Sequence, residues 1–407
     1  MKTKGVLTKT LLAFCTVCIL ILTASPSIAE KIKVNSTDDV IANDGKCTLR
    51  EAIIAANTDT ASGAKRGECI AGSGTDKIVL KDEVYFLKLL GIGEDNSLTG
   101  DLDILSNLTI AGKGAKTTFI NALQIDRVFH VIGNVKVKFK GITIQNGKSD
   151  IGGGIYNDGG TLKITYSDVS NNTAQGASYP KGGGIYSWGT LNINDSEISN
   201  NTASGISPWA GGIDNYGTLT ISSSKVSNNM ASGTSYGSAG GISNNGTLTI
   251  SDSEVSGNTS SGVACDGGGI TNFDTLTVSN SVISNNSASG TSSGYGGGIY
   301  NEGIATISDS DVSNNSASGA SQGYGGGIEN EGTVTISNTD VYSNMALGTS
   351  DTGFGHGGGI YNNAGVFTAT DRSRIFGNLA TEYGGGIYGT ADISSNSQVV
   401  MNTPNNM

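Results

Sequence analysis

The sequence predicts an all-β solenoid, a single-stranded, right-handed parallel β-helix with a short capping helix near its N-terminus. The first observation is a block of Gly-Gly-Gly-Ile or Ala-Gly-Gly-Ile that recurs every 27 to 32 residues. The second is a short alternation of aliphatic and polar residues inside each unit. Self-similarity at this period is typical of stacked coils, so residues 151–407 are predicted to form about nine repeats of about 29 residues. The motif isoleucines are Ile155, Ile185, Ile213, Ile242, Ile270, Ile299, Ile328, Ile360 and Ile387.

One unit illustrates the predicted coil. Residues 296–315 divide at their turn residues into three alternating runs, with Ile299 in the first, Ile304 and Ile307 in the second and Val312 in the third. Runs this short pair only with the same runs of neighbouring coils, about 4.8 Å away. We therefore predict three strands per coil with aliphatic stacks inside. The right-handed coiling follows from strand twist and crossover preference.

Asparagine and glycine occupy fixed places in the repeat. Stacked asparagines can form amide ladders and tolerate left-handed backbone angles, so both asparagine columns are interpreted as structural. The glycine block is expected to make a tight bend with positive φ where no side chain fits. One column follows an aliphatic residue by three positions: Asn172, Asn201, Asn229, Asn258, Asn286, Asn315, Asn344 and Asn378. The other follows the motif isoleucine by two: Asn157, Asn215, Asn244, Asn272, Asn301, Asn330 and Asn362.

A segment rich in Ala, Ser, Gly and Thr precedes each glycine block, as in residues 288–294 and 317–323. These segments are predicted to be loops, and because they vary in length, a binding function is expected on them. Aromatic rings there either stack on sugars or merely screen the edge of the coil. The candidate glycan contacts are Trp188, Trp209, Tyr295 and Tyr324.

The N-terminal segment has the pattern of a cleavable secretory signal. Residues 1–29 carry three lysines, then an apolar run over residues 11–23, then small residues ending at Ala29. Export is therefore predicted. In an oxidising compartment, pairing of Cys47 with Cys69 is the most economical arrangement, which leaves Cys265 unpaired.

Residues 30–150 are predicted to form irregular coils of the same solenoid, with no domain boundary before the regular repeats. The one helical pattern begins at Thr48, which has capping-box spacing to Glu51, and its apolar residues fall on one face. A helix of this kind, tethered by the disulfide, is suited to cover the open end of a solenoid. Arg50 and Glu51 are interpreted as part of the cap and as a surface ion pair.

The charge pattern excludes several partner classes. The net charge is −11, and residues 226–371 contain no lysine or arginine. Nucleic acids and anionic membranes are therefore not expected partners. Acidic pairs such as Asp195 with Glu197 and Asp252 with Glu254 recur at one position of successive units, which favours a structural role.

Catalysis on this fold remains the alternative. A polysaccharide lyase needs an arginine or lysine base beside calcium, and a glycoside hydrolase needs paired carboxylates. All five arginines of residues 30–407 lie outside the central repeats, so no catalytic residue is assigned and the interpretation leans against an enzyme. Neither His130 nor His356 has further ligands at zinc spacing, so no metal or other cofactor is expected.

The run Cys-Thr-Leu-Arg-Glu-Ala at 47–52 resembles the CSLREA signature of exported bacterial β-helix proteins, with Thr48 in place of serine. Residues 126–131 and 141–144 are similar to the sequence that usually follows it. The repeats resemble those of chlamydial polymorphic outer membrane proteins, although alanine is replaced by glycine and phenylalanine by Val or Ile. The resemblance implies a secreted or cell-envelope passenger protein, sometimes adhesive.

The expected function is surface display or adhesion, with a glycan or a host or cell-surface ligand as partner and a monomeric state. Only 20 residues follow Ile387, too few for a membrane barrel, so no self-inserted membrane segment is expected. A pectate-lyase-like enzyme or a glycoside hydrolase is the alternative function.

Overall fold

A computed structural model describes residues 30–405 as one parallel β-solenoid of about 11 turns. The predicted all-β parallel fold is confirmed, since every strand pairing is parallel and joins equivalent positions of successive coils. No helix within residues 30–405 is long and apolar enough to cross a membrane. The predicted signal segment, 1–29, lies outside the described residues.

Each regular coil contributes strands to four sheets, numbered here in chain order from the glycine block. Sheet 1 contains Leu102–Ile104, Phe129–Ile132, Ile155–Asp158, Ile185–Ser187, Ile213–Asn215, Ile242–Asn244, Ile270–Asn272, Ile299–Asn301, Ile328–Asn330, Ile360–Asn362 and Ile387–Gly389. Sheet 2 contains Lys31–Lys33, Asp76–Val79, Leu108–Ala111, Lys136–Lys140, Thr161–Thr165, Thr190–Asn194, Thr218–Ser222, Thr247–Ser251, Thr275–Ser279, Ile304–Ser308, Thr333–Ser337, Val366–Thr370 and Asp392–Ile393.

Sheets 3 and 4 complete the coil. Sheet 3 contains Val84–Phe86, Phe119–Asn121, Thr143–Gln145, Asp168–Ser170, Glu197–Ser199, Lys225–Ser227, Glu254–Ser256, Val282–Ser284, Asp311–Ser313, Asp340–Tyr342, Arg374–Phe376 and Gln398–Val400. Sheet 4 contains Lys148–Ser149, Thr173–Gln175, Thr202–Gly205, Met230–Gly233, Tyr236–Ser238, Thr259–Asp266, Ser287–Tyr295, Ser316–Gly319, Gln322–Tyr324, Met345–Gly348, Phe354–His356 and Leu379–Ala380.

Sheet 4 corrects the prediction of three strands per coil. The segments predicted to be loops are extended and paired, and residues 288–294 lie inside the strand Ser287–Tyr295. The inward residue of these strands is alanine, such as Ala288 or Ala317, and both are fully buried. A methyl group gives little hydropathic contrast with the serine and glycine beside it, which is why the sequence pattern suggested loops.

The core is a continuous stack of aliphatic side chains from sheets 1, 2 and 3. In the coil beginning at Gly296, the inward residues are Ile299, Ala305, Ile307 and Val312. The expectation that Ile304 lies inside is wrong, because its side chain is 57% exposed. It begins a five-residue strand in which alternation turns the second and fourth residues inward.

The asparagine ladder is confirmed, with one correction. From Asn172 to Asn402, each Nδ2 donates to the Oδ1 of the next coil, at 3.0 Å in the pair Asn258 to Asn286. The left-handed residue of this turn is not the ladder asparagine but the one before it, as at Asn285 with φ of 57°. The glycine prediction also holds, since Gly296 has φ of +59° and a Cβ on Gly298 would lie 2.6 Å from a carbonyl oxygen.

The N-terminal end is closed by the helix Leu49–Thr58, whose apolar face joins the core of the coils. Thr48 Oγ1 accepts from the Glu51 amide at 3.2 Å, and Glu51 Oε2 accepts from the Thr48 amide at 3.0 Å. Cys47 and Cys69 form a disulfide with a Cα separation of 4.7 Å. Strands before residue 150 pair directly with the regular repeats, as Phe129–Ile132 does with Ile155–Asp158.

Arg50 is a correction to the surface ion pair expected beside the helix. Its guanidinium is fully buried, with Nε donating to Asp39 Oδ1 at 2.6 Å. It also donates to the carbonyl oxygens of Ser97, Gly100 and Asp101 at 2.8 to 3.1 Å. One buried cation therefore ties the helix to Asp39, to the loop 91–100 and to the residue that precedes the first strand of sheet 1.

Candidate functional site

One outward-facing column of side chains runs along sheet 1, formed by the second residue of each strand, which in the regular repeats is the residue after the motif isoleucine. In the strand Ile299–Asn301 the first and last residues point inward, so Tyr300 points outward. The strand register places equivalent residues of successive coils side by side. This central column consists of Asp103, His130, Tyr156, Tyr186, Asp214, Ser243, Thr271, Tyr300, Glu329, Tyr361 and Tyr388.

Two further columns flank it. The upstream column is the residue before each glycine block, and the downstream column is the residue that follows each strand of sheet 1. The upstream column consists of Ile151, Lys181, Trp209, Ser238, Asp266, Tyr295, Tyr324, His356 and Tyr383. The downstream column includes Trp188, Tyr216, Asn245, Phe273, Glu302 and Glu331. Together the three columns form one face along the solenoid axis.

The first aromatic group on this face surrounds Trp188. Its indole stacks on Tyr216 with ring centroids 4.7 Å apart and meets Tyr186 edge to face at 6.2 Å. The indole Nε1 donates to the Tyr186 hydroxyl, and Lys181 Nζ lies 5.0 Å from the centre of the Tyr216 ring. Trp188 remains 51% exposed, so these contacts hold a flat aromatic surface towards solvent.

The second aromatic group surrounds a cavity of about 240 Å³, which we call the tyrosine cavity. Tyr324 and Tyr361 stack in parallel at 4.5 Å, and Tyr361 stacks on Tyr388 at 5.2 Å. Tyr295 leans on Tyr324 at 5.8 Å. The cavity is lined by Asp266, Tyr295, Tyr300, Tyr324, Glu329, Asn330, Glu331, Tyr361, Asn363 and Ala364. It therefore combines flat apolar rings with hydrogen-bonding groups.

Two carboxyl groups in the cavity are protonated at neutral pH. Burial, together with the charges of Glu302 and Glu331, raises the pKa of Asp266 to about 8. Burial also raises the pKa of Glu329 to about 9, with added repulsion from Glu331, Asp266 and Glu302. Glu329 Oε2 is buried without a hydrogen-bond partner among the described residues. The Tyr300 hydroxyl donates to Glu302 Oε1 at 3.0 Å.

All four sequence-predicted glycan contacts lie on this face. Tyr295 and Tyr324 both line the cavity, and Trp188 belongs to the exposed aromatic group. Trp209 contacts Phe273 at a centroid distance of 5.7 Å. The central column was missed, including Glu329 in the cavity. Its only signal in the sequence is that the position after each motif isoleucine varies while its neighbours repeat.

The acidic pairs of the repeats occupy a different, open surface. Asp195, Asp252 and Asp309 each have φ of 49° and form the left-handed turn between sheets 2 and 3. Glu254 lies beside Lys225 in sheet 3, with a separation of 3.2 Å between exposed charged atoms. The turn geometry supplies a structural reason for the recurrence of aspartate there, because aspartate tolerates this conformation.

Both histidines have acidic neighbours that sequence spacing did not suggest. His356 Nε2 lies 3.0 Å from Glu382 Oε2 beside the tyrosine cavity. His130 faces outward in the central column, and its Nδ1 lies 3.5 Å from an oxygen of Asp95 and 3.5 Å from one of Asp103. The stacking of coils brings these residues together across 26 to 35 positions of sequence.

Comparison of the chain with known protein families, with curated proteins and with solved structures gives no match. The fold assignment therefore rests on the strand pairing and burial described above.

Proposed function

We propose that this protein is an exported bacterial β-helix protein that binds a glycan chain along the face formed by the three columns. The observation that carries the proposal is the pair of aromatic groups on that one face. Sugar rings present apolar C–H faces to aromatic rings and hydroxyl groups to carboxyl and phenol groups. The CSLREA-like run at 47–52 supports a secreted or envelope-attached passenger with an adhesive or display role.

The spacing of the two groups suits a chain rather than a single sugar. Tyr186 and Tyr300 are four coils apart in the central column, which corresponds to about 19 Å at 4.8 Å per coil. Ser243 and Thr271 lie between them and leave a smaller surface at the centre. A glycan of several residues can span both groups at once. Because the two groups then bind parts of the same chain, the overall affinity exceeds that of either group alone.

The charge of the face favours a neutral glycan. Glu302 and Glu331 lie beside the two protonated carboxyls of the tyrosine cavity, and the chain has a net charge of −11. Polyanionic glycans are repelled by such a surface. The protonated carboxyls can instead donate hydrogen bonds to sugar hydroxyls.

Fluorescence offers a direct test, because both tryptophans of the chain, Trp188 and Trp209, belong to the flanking columns. Titration with neutral oligosaccharides identified on a glycan array should change the emission of the protein after the signal segment is removed. Trp188→Ala should weaken binding at least tenfold. Tyr166→Ser is the matched control, since Tyr166 is an exposed aromatic residue on the turn between sheets 2 and 3. No binding to any arrayed glycan, or equal losses in the two variants, would refute the proposal.

A second candidate function, glycoside hydrolysis, is favoured by the buried carboxyls of the tyrosine cavity. Glu329 in its protonated form can give its proton to a glycosidic oxygen, and an ionised neighbour such as Glu331 can activate water. Among the residues that line the cavity there is no arginine or lysine, which favours hydrolysis over a lyase reaction. New reducing ends released from neutral polysaccharides by the unmodified protein, but not by Glu329→Gln, would support this activity. If no reducing ends form, hydrolysis is refuted and glycan binding is the function that stands.

A further inference from the structure

Three potential metal-binding side chains meet at the N-terminal end of the central column. Asp103 and His130 are adjacent in that column, and Asp95 reaches them from the loop 91–100. His130 Nδ1 lies 3.5 Å from Asp95 Oδ1 and 3.5 Å from Asp103 Oδ1. One donor atom from each residue lies within 4.8 Å of the other two. The glycan proposal uses none of these atoms.

The distances suit a shared cation better than direct hydrogen bonds. An N–H to oxygen hydrogen bond has its heavy atoms about 2.7 to 3.2 Å apart, so 3.5 Å is long for both carboxylates. A zinc ion binds nitrogen and oxygen at about 2.0 to 2.2 Å. Two such donors separated by 3.5 Å subtend an angle close to the tetrahedral one at the ion.

A buried, unpaired oxygen points to the same conclusion. Asp103 is completely buried, and its Oδ2 accepts from the Ser97 amide at 2.7 Å. Its Oδ1 has no hydrogen-bond partner among the described residues. A buried polar atom without a partner costs about 1 to 3 kcal/mol, and more when it is charged. A cation held between Oδ1 and His130 Nδ1 would remove that cost.

The surrounding residues hold the donors in place. The Ser97 hydroxyl accepts from the Asp103 amide at 2.6 Å, and Arg50 binds the Ser97 carbonyl at 3.1 Å. Glu94 orders the loop that carries Asp95, because its carboxylate accepts from the amides of two later loop residues at 2.8 and 3.0 Å. Hydrogen bonds of this kind, made to the residues that would bind the metal, orient those residues before the metal binds.

The neighbouring arginines do not pair with Asp103 Oδ1. Arg127 Nε lies 3.2 Å from Asp101, and its guanidinium covers the ring of Tyr156. Arg50 is committed to Asp39. The same Tyr156 ring stacks on His130 at 4.7 Å and fixes the orientation of the imidazole.

We propose that Asp95, Asp103 and His130 bind one divalent ion of the zinc class. Nitrogen and carboxylate donors in a tetrahedral arrangement are typical of zinc, and three protein ligands leave one position for water or another ligand. The Asp95 side chain is 68% exposed, so the open position can face solvent. The ion would lie at the end of the same face that carries the aromatic groups.

The test is calorimetric titration of the metal-free protein, residues 30–407, with zinc chloride, together with cobalt substitution. One zinc equivalent should bind, and cobalt should give the visible absorption of a tetrahedral site. Asp95→Ala and His130→Ala should each weaken binding by about 100-fold. Asp95→Ala removes only an exposed side chain, so its fold should persist, and circular dichroism checks this.

His356→Ala is the matched control, because His356 also faces a carboxylate but has no third donor among the described residues. It should retain full zinc affinity. The metal site would be overturned if the protein bound no zinc ion tightly, or if Asp95→Ala and the unmodified protein bound zinc with equal affinity. Neither result affects glycan binding, which is measured separately.

Discussion

Replacing one asparagine in the middle of the ladder should weaken the solenoid far more than replacing an asparagine on its surface. Asn258 makes four side-chain hydrogen bonds. Its Nδ2 donates to Val226 O and Asn286 Oδ1, and its Oδ1 accepts from the amide and the Nδ2 of Asn229, all at 3.0 Å. Asn258→Ala removes all four and adds no partner in their place.

The magnitude follows from those bonds. Each contributes about 0.5 to 1.5 kcal/mol net, and the change leaves the Asn229 amide buried without its partner. From the four lost bonds and the one unpaired amide, we expect the free energy of unfolding to fall by about 4 kcal/mol. Asn192→Ala is the control, because Asn192 lies on the outer face of the strand Thr190–Asn194 and its side chain makes no hydrogen bond among the described residues. Its effect should stay within about 0.5 kcal/mol.

Denaturant unfolding and hydrogen exchange measure the effect at two scales. The unfolding midpoint reports the whole solenoid, although long repeat arrays can unfold in parts. Exchange of the Asn229 amide reports the lost ladder bond itself and should accelerate strongly. If Asn258→Ala keeps the midpoint of Asn192→Ala and the Asn229 amide stays protected, the ladder does not stabilise the coil as argued.

Three further predictions follow from burial and close packing. The stabilisation that Asp266 and Glu329 contribute should be full below about pH 4 and be lost as the pH rises to about 9, because the folded protein holds two protons that the unfolded chain releases near pH 4. Calorimetry between about pH 5 and 9 should show a flatter profile in Glu329→Gln. Cys47→Ser should lower the free energy of unfolding by about 3 kcal/mol, because the disulfide closes a loop between residues 22 positions apart and so restricts the unfolded chain; an unchanged melting temperature would contradict this. Gly298→Ala should cost about 2 kcal/mol or more, whereas Gly114→Ala, whose Cβ meets nothing closer than 3.5 Å, should be nearly neutral in the same melts.

The repeating parts of the fold were predictable because geometry fixes them. A Cβ on Gly298 would collide with the next coil, and Asn258 must bond both of its neighbours, so both residue types recur with the period. The fourth strand was not predictable in the same way. Ala288 is its only inward residue of any bulk within the Ser-Ala-Ser-Gly run, and a methyl group between serines gives no clear alternation. The strand forms because the coil before and the coil after it supply the hydrogen bonds.

The same reasoning explains why the candidate site was predicted only at its edges. The position after each motif isoleucine faces outward, so the coil places no demand on its identity, and Tyr300, Glu329 and Tyr361 succeed one another there. Glu329 is nevertheless buried, in a cavity that it shares with Tyr295, Tyr324 and Glu331 of the flanking columns, and hydropathy along one strand does not contain that information. Stacking converts residues about 29 positions apart into neighbours about 4.8 Å apart. In a solenoid the positions that repeat therefore specify the scaffold, and a position that varies on one face is where selection for a ligand can act.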